Sequence, residues 1–179
     1  MKKIILSVIC LVAVGLVNAQ SSFGVISYTL PEGWIARPVG SDMELVKSGE
    51  ENSGCSITFF KQMNTIVTAE KRFGLLWASK TKSGNNNLQK FTIPVRTEGD
   101  GWVCIAASKT IPNGTSADTE GFYTLCDSSI TAIILIQSPG NSCLKEIQNI
   151  MASINIPVKD SNPKLRAKTK KTKFPYVYR

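Results

Sequence analysis

Apolar and polar positions follow two different periods along this chain, and the switches between them divide it into elements. Phe23 to Leu30 is rich in β-formers and stops at the turn-forming run Pro31-Glu32-Gly33, with Trp34 and Ile35 just beyond it. Glu44 to Lys47 predicts a short second strand, closed by the polar run Ser48 to Gly54. In Cys55 to Lys61 the alternation sets Cys55, Ile57 and Phe59 on one face and Ser56, Thr58 and Phe60 on the other, which predicts a third strand. Between Thr65 and Lys80 the period changes. Ala69, Phe73, Leu76 and Trp77 recur at helical offsets, with Thr65 or Thr68 placed to cap the helix.

After the polar loop Ser83 to Asn87, four apolar stretches follow: Phe91 to Arg96, Trp102 to Ile111, Gly121 to Cys126 and Ile130 to Gln137. Gly-, Asp- and Asn-containing turns separate them, which predicts a meander of antiparallel hairpins. The last element runs from about Asn141 to Ile154, where Leu144, Ile147, Ile150, Met151 and Ile154 keep helical spacing. Asn141 or Ser142 can cap its start, and Pro157 ends it. The order strands, helix, strands, helix predicts an α+β fold: an antiparallel sheet flanked by two amphipathic helices.

The two ends have a different character. Lys2 and Lys3 precede the apolar stretch Ile4 to Val17, and Val17-Asn18-Ala19 offers modest or small residues before a cleavage point. Residues 1–19 therefore read as a secretory signal peptide, and the expected location is periplasmic or extracellular. A lipid anchor on Cys10 is the rival reading, but bulky Ile9 precedes it where a small residue is needed. No later stretch approaches the roughly 18 apolar residues of a membrane span. Residues 20–158 have the size of one domain.

The 179 residues carry 21 Lys+Arg against 13 Asp+Glu, a net charge of +8. By segment, residues 20–158 carry a net −1, while Lys159 to Arg179 carries +7. A near-neutral body argues against nucleic acid as its partner. In the tail, Lys164, Arg166, Lys168, Lys170, Lys171 and Lys173 lead into Phe174, Tyr176 and Tyr178. With almost no apolar residues before Phe174, that segment cannot build a core and is expected to be disordered in isolation. Its charge suits an anionic partner at the envelope: lipid headgroups, polyanionic glycans or nucleic acid. The alternating aromatics suit a sheet edge or an interface.

The chain has no histidine, which excludes Ser-His-Asp and Cys-His nucleophilic sites, HExxH zinc sites and His-ligated haem. Neither GxxxxGK[ST] nor GxGxxG occurs. Carboxylates are the remaining acid–base groups. Glu98 with Asp100, and Asp118 with Glu120, each share a strand face but sit beside turns, where solvated carboxylates are common. No cofactor, metal site or catalytic residue is expected, and the protein reads as a non-enzyme. Trp34, Trp77 and Trp102 fit core positions or a pocket between helix and sheet, and Asn113-Gly114-Thr115 matches a glycosylation acceptor.

Four cysteines follow the signal segment: Cys55, Cys104, Cys126 and Cys143. None lies in a CxxC motif, so structural bridges or buried thiols are expected rather than a redox or zinc site. Three pairings are open. A hairpin centred near Thr115 sets Cys104 opposite Cys126, which leaves Cys55 for Cys143.

The opening Tyr28-Thr29-Leu30-Pro31-Glu32-Gly33-Trp34, with two short strands, a helix bearing Trp77, a meander and a closing helix, resembles the Mog1/PsbP-like group of α+β domains. Small exported bacterial proteins with a similar start belong to it. The resemblance implies an α+β sandwich acting as a binding or assembly module that docks onto a larger protein complex, with no shared catalytic set. Pro31, Gly33 and Trp34 would then form a rigid turn and a core anchor. The expected function is a non-enzymatic module of the bacterial cell envelope with a protein partner as yet unknown; the alternatives are a tail-borne binder and, last, a carboxylate enzyme.

Overall fold

The computed structural model describes residues 20–49, 54–81, 89–99 and 101–156. The expected signal peptide (residues 1–19), Asp100 and the basic tail with its Lys, Arg, Phe and Tyr candidates lie outside the described residues.

The fold is α+β, mostly antiparallel sheet with two helices. A hairpin of β1 (Gln20–Phe23) and β2 (Ile26–Thr29) stands apart from a nine-stranded sheet. The main sheet runs in the order β3 (Trp34–Val39), β4 (Asp42–Lys47), β5 (Ser56–Phe59), β11 (Ile130–Ser138), β10 (Ser116–Cys126), β9 (Trp102–Asn113). Beyond β9 lie β7 (Lys90–Phe91) and β8 (Val95–Gly99), and the short β6 (Met63–Asn64) pairs with β11. The helices are α1 (Ala69–Thr81) and α2 (Leu144–Ser153).

Strand alternation divides the central sheet between two cores. Cys104, Ala106, Tyr123, Leu125, Ile134 and Ile136 pack with Ile147, Ile150 and Met151 of α2. Their alternate neighbours Ile105, Ala107, Phe122 and Cys126 pack with Ala69 and Phe73 of α1. The first cluster is much the larger, and it includes Trp34, Trp102 and the buried Tyr28.

Several expected elements divide or shift. The stretch Phe23 to Leu30 is not one strand, because Gly24 adopts a φ of +59° and reverses the chain into β2. Phe91 to Arg96 likewise splits into β7 and the start of β8. Trp34 opens a six-residue edge strand, β3. Thr68 caps α1, its Oγ1 accepting from the Lys71 N–H at 3.3 Å. Neither Asn141 nor Ser142 caps α2: the N-cap is Cys143, with no side-chain capping bond.

The cysteines require a correction. Cys55 and Cys143 form a disulfide, whereas Cys104 and Cys126 are free and buried. The β9–β10 hairpin turns about the bond between Gly114 and Thr115 and not about Thr115 itself, so Leu125 faces Cys104 and Cys126 faces Val103. That slip of one residue sends the two thiols to opposite faces of the sheet and into different cores.

Candidate binding face

Helix α1 lies over β9 and β10, and among the described residues no helix covers the rest of its side of the sheet. The register names the two rows that run beside α1, in which Ser56 is buried. One row across the strands is Ile35, Val46, Ser56 and Gln137; the next is Arg37, Glu44, Thr58 and Leu135. Leu135 then stands opposite Phe122, which is buried under α1, so the second row runs straight into the α1 core.

The open rows mix chemistries. Ile35 is 50% exposed, and Val46, Thr58 and Leu135 are partly exposed. Arg37 donates to Glu44 at 2.9 Å, and Ser56 donates to the Gln137 side-chain oxygen at 3.3 Å. Beyond Gln137 the first row continues through Glu120 and Lys109, paired at 2.9 Å, to Phe91. An antiparallel sheet can present one face to water, and then its outward positions are mostly polar. Here Ile35, Val46 and Leu135 are apolar, and Arg37, Glu44, Ser56 and Gln137 are bonded in pairs, a composition suited to a partner surface rather than to bond-making chemistry.

The carboxylate candidates are tied into ion pairs and turns. Glu98 pairs with Arg96, which also donates to Glu70 at 2.9 Å. A bond to its own backbone N–H, and then Arg96, hold the Glu70 carboxyl below its ordinary pKa. Asp118 accepts from the Gly140 N–H at 2.9 Å and from Asn113 at 3.3 Å, and Glu120 belongs to Lys109. Asn113 itself is exposed at the end of the β9–β10 hairpin. Among the described residues, no three Cys, Asp or Glu side chains stand close enough to hold a metal ion.

The three tryptophans are not brought together. Trp34 and Trp102 are buried in the α2 core, while Trp77 packs on the other side against Phe73, Phe91 and Phe122, with ring centroids 5.5–5.8 Å apart. The Pro31 turn borders a shallow depression of about 300 Å³, lined by Thr29, Leu30, Asn149, Ile150 and Ser153. Its Ser153 hydroxyl is engaged locally: Oγ accepts from the Thr29 N–H at 2.9 Å and donates to the Ile150 carbonyl at 2.7 Å. Burial raises the Cys126 thiol pKa and pushes that of Cys104 up to about 12, so neither is a ready nucleophile.

Sequence reasoning missed the open face. The one signal present was the alternation that sets the half-buried Thr58 and Phe60 opposite the buried Ile57 and Phe59.

Among the described residues, no helix is long and apolar enough to cross a membrane. No protein-family model matches the chain, and no curated protein matches it. Solved structures do resemble it. LpqN of Mycobacterium tuberculosis, described as involved in cell envelope biogenesis, superposes with a TM-score of 0.52 at 10% identity, over 80% of this chain and 87% of that one. A 1.50 Å crystal structure from Bacteroides thetaiotaomicron VPI-5482 has a TM-score of 0.49 at 10% identity and covers 75% of this chain. This chain spans 46% of that one. At this identity what is shared with LpqN is the fold, an antiparallel sheet with two helices.

Proposed function

We propose that this protein is an exported, non-catalytic binding or assembly module of the bacterial cell envelope, built as a Mog1/PsbP-like sandwich whose sheet carries one helix on each face. The observation that carries this reading is the partly apolar stretch of sheet from β3 to β11 beside α1, which no helix among the described residues covers. Two further findings support the location: the Cys55–Cys143 disulfide, which suits an oxidising compartment, and the likeness in fold to a protein described by its role in cell envelope biogenesis.

A photo-crosslinking residue at Thr58, on the open face, should join the protein to one discrete envelope component in the cells that make it. The same residue at Ala152, exposed on α2, should not. Equal labelling from both positions, or none from Thr58, would refute the reading.

A second reading rests on the charge of +7 concentrated in Lys159 to Arg179: the tail binds an anionic lipid or glycan and the domain carries it. Truncation after Val158 separates the two. Binding that disappears on truncation and at high salt belongs to the tail, and binding that persists belongs to the domain.

A further inference from the structure

We propose that the edge formed by β7 and β8 seats the domain on an anionic lipid surface, with Ile93 entering the acyl layer and the lysines around it meeting the headgroups. The register of that edge singles Ile93 out. Lys90 and Phe91 pair with Thr110 and Lys109, and the Thr92 N–H reaches the Ser108 carbonyl at 3.0 Å, yet Val95 pairs with Ala106. Ile93 and Pro94 therefore stand together opposite Ala107, which is a β-bulge, a device that re-aims a side chain. Ile93 emerges from it 86% exposed, more than any other large hydrophobic among the described residues, with the exposed Phe91 and Val95 on either side. The bulge is held firmly. Thr92 Oγ1 accepts from the Ser108 N–H at 2.8 Å, and the proline ring fixes φ at position 94.

Charge gathers at the same edge. From Lys71 to Thr97 the chain has six Lys or Arg and no Asp or Glu, whereas the remainder of residues 20–158 has five against twelve. That stretch spans most of α1 and the strands beside it, which the Trp77–Phe91 contact and the Arg96–Glu70 ion pair hold together. Arg96 is spent on Glu70 and Glu98, which leaves Lys71, Arg72, Lys80, Lys82 and Lys90 as the excess. Lys80 lies in the last turn of α1, and the exposed Lys90 adjoins Phe91 on the edge itself. Cations alone would suit a polyanionic glycan, and an exposed isoleucine alone a socket on a protein. The two side by side suit a bilayer, where binding grows both with the apolar area inserted and with the pull of anionic headgroups on cations. The edge lies at the far end of the sheet from β3 and outside the tail, so the inference stands apart from both readings above.

The test uses residues 20–179, tail included, with vesicles of phosphatidylglycerol and phosphatidylethanolamine. A polarity-sensitive dye on Ile93→Cys, attached while Cys104 and Cys126 are buried in the folded protein, should shift its emission to the blue when vesicles are added. Nitroxides on the acyl chains should quench it. The same dye on Ala152→Cys, exposed on α2, should show neither effect. Ile93→Asp changes a side chain too exposed to matter for folding, and it should weaken vesicle binding at least about tenfold. Lys80→Glu with Lys90→Glu should do the same, again by at least about tenfold. A dye at position 93 that stays in water while the protein is vesicle-bound would show the tail binding by itself and overturn the proposal. So would an equal response from positions 93 and 152, no binding to the anionic vesicles, or an Ile93→Asp chain that binds as tightly as the wild type.

Discussion

Thr124 shows how far a single buried atom can be out of balance with its surroundings. It sits between Phe122 and Cys126 on the α1 face, is fully buried, and its hydroxyl has no hydrogen-bond partner among the described residues. A buried hydroxyl left unbonded costs about 1–3 kcal/mol, and valine keeps nearly the same shape without it. Thr124→Val should therefore leave stability unchanged or raise it by about 1 kcal/mol in thermal denaturation. Cys104 carries the opposite lesson, because burial favours its neutral form. With a folded pKa pushed up to about 12 from an ordinary 9.0, the folded state holds a proton that the unfolded state releases above pH 9. Stability from this group is complete below pH 9 and is lost as pH climbs from 9 toward 12. Denaturant titrations across that window should show a decline, and Cys104→Ala should flatten it.

Among the elements, the β1–β2 hairpin depends on a residue remote from it in sequence. Gln62 donates to the Phe23 carbonyl at 3.0 Å and accepts from the Val25 N–H at 3.1 Å, closing both sides of the Gly24 turn. A Cβ on Gly24 would come within 2.3 Å of the Gln62 amide and would occupy a φ of +59°. Gly24→Ala should cost about 1–2 kcal/mol by chemical denaturation, and Gln62→Ala should loosen the same hairpin. How much of this was legible in the sequence varied with burial. Helix α1, the closing helix and the two faces of β5 followed from apolar spacing, because each buries one apolar stripe more deeply than the other. Strand β3 was not legible: an edge strand containing Arg37, Pro38 and five consecutive exposed residues shows no period. The hairpin register failed by one residue, since apolar cores on both faces of β9 and β10 erase the polar-out signal that would have fixed it. The open face was hidden for a different reason. Which strands a helix covers depends on where it crosses the sheet, and no local pattern records that.

At the scale of the whole molecule, the Cys55–Cys143 bond joins residues 88 apart and fastens the N-cap of α2 to the residue just before β5. Replacing both cysteines by alanine should cost about 2–5 kcal/mol, read as a lower melting temperature. The side-to-side imbalance of the cores has a further consequence. Among the described residues, the α2 core has 21 buried hydrophobic members and a covalent tie, whereas the α1 core has six and none. Helix α1 can thus lift away while the strands beneath it stay paired, so its amides should exchange with deuterium sooner than those of β9, β10 and β11, which wait for global unfolding. Uniform exchange rates across α1 and the strands would show instead that the two cores melt as one. If α1 does open first, the uncovered face is not a fixed area: each opening extends it from Leu135 to Phe122, and a partner that prefers the wider surface would capture the molecule in that minor state.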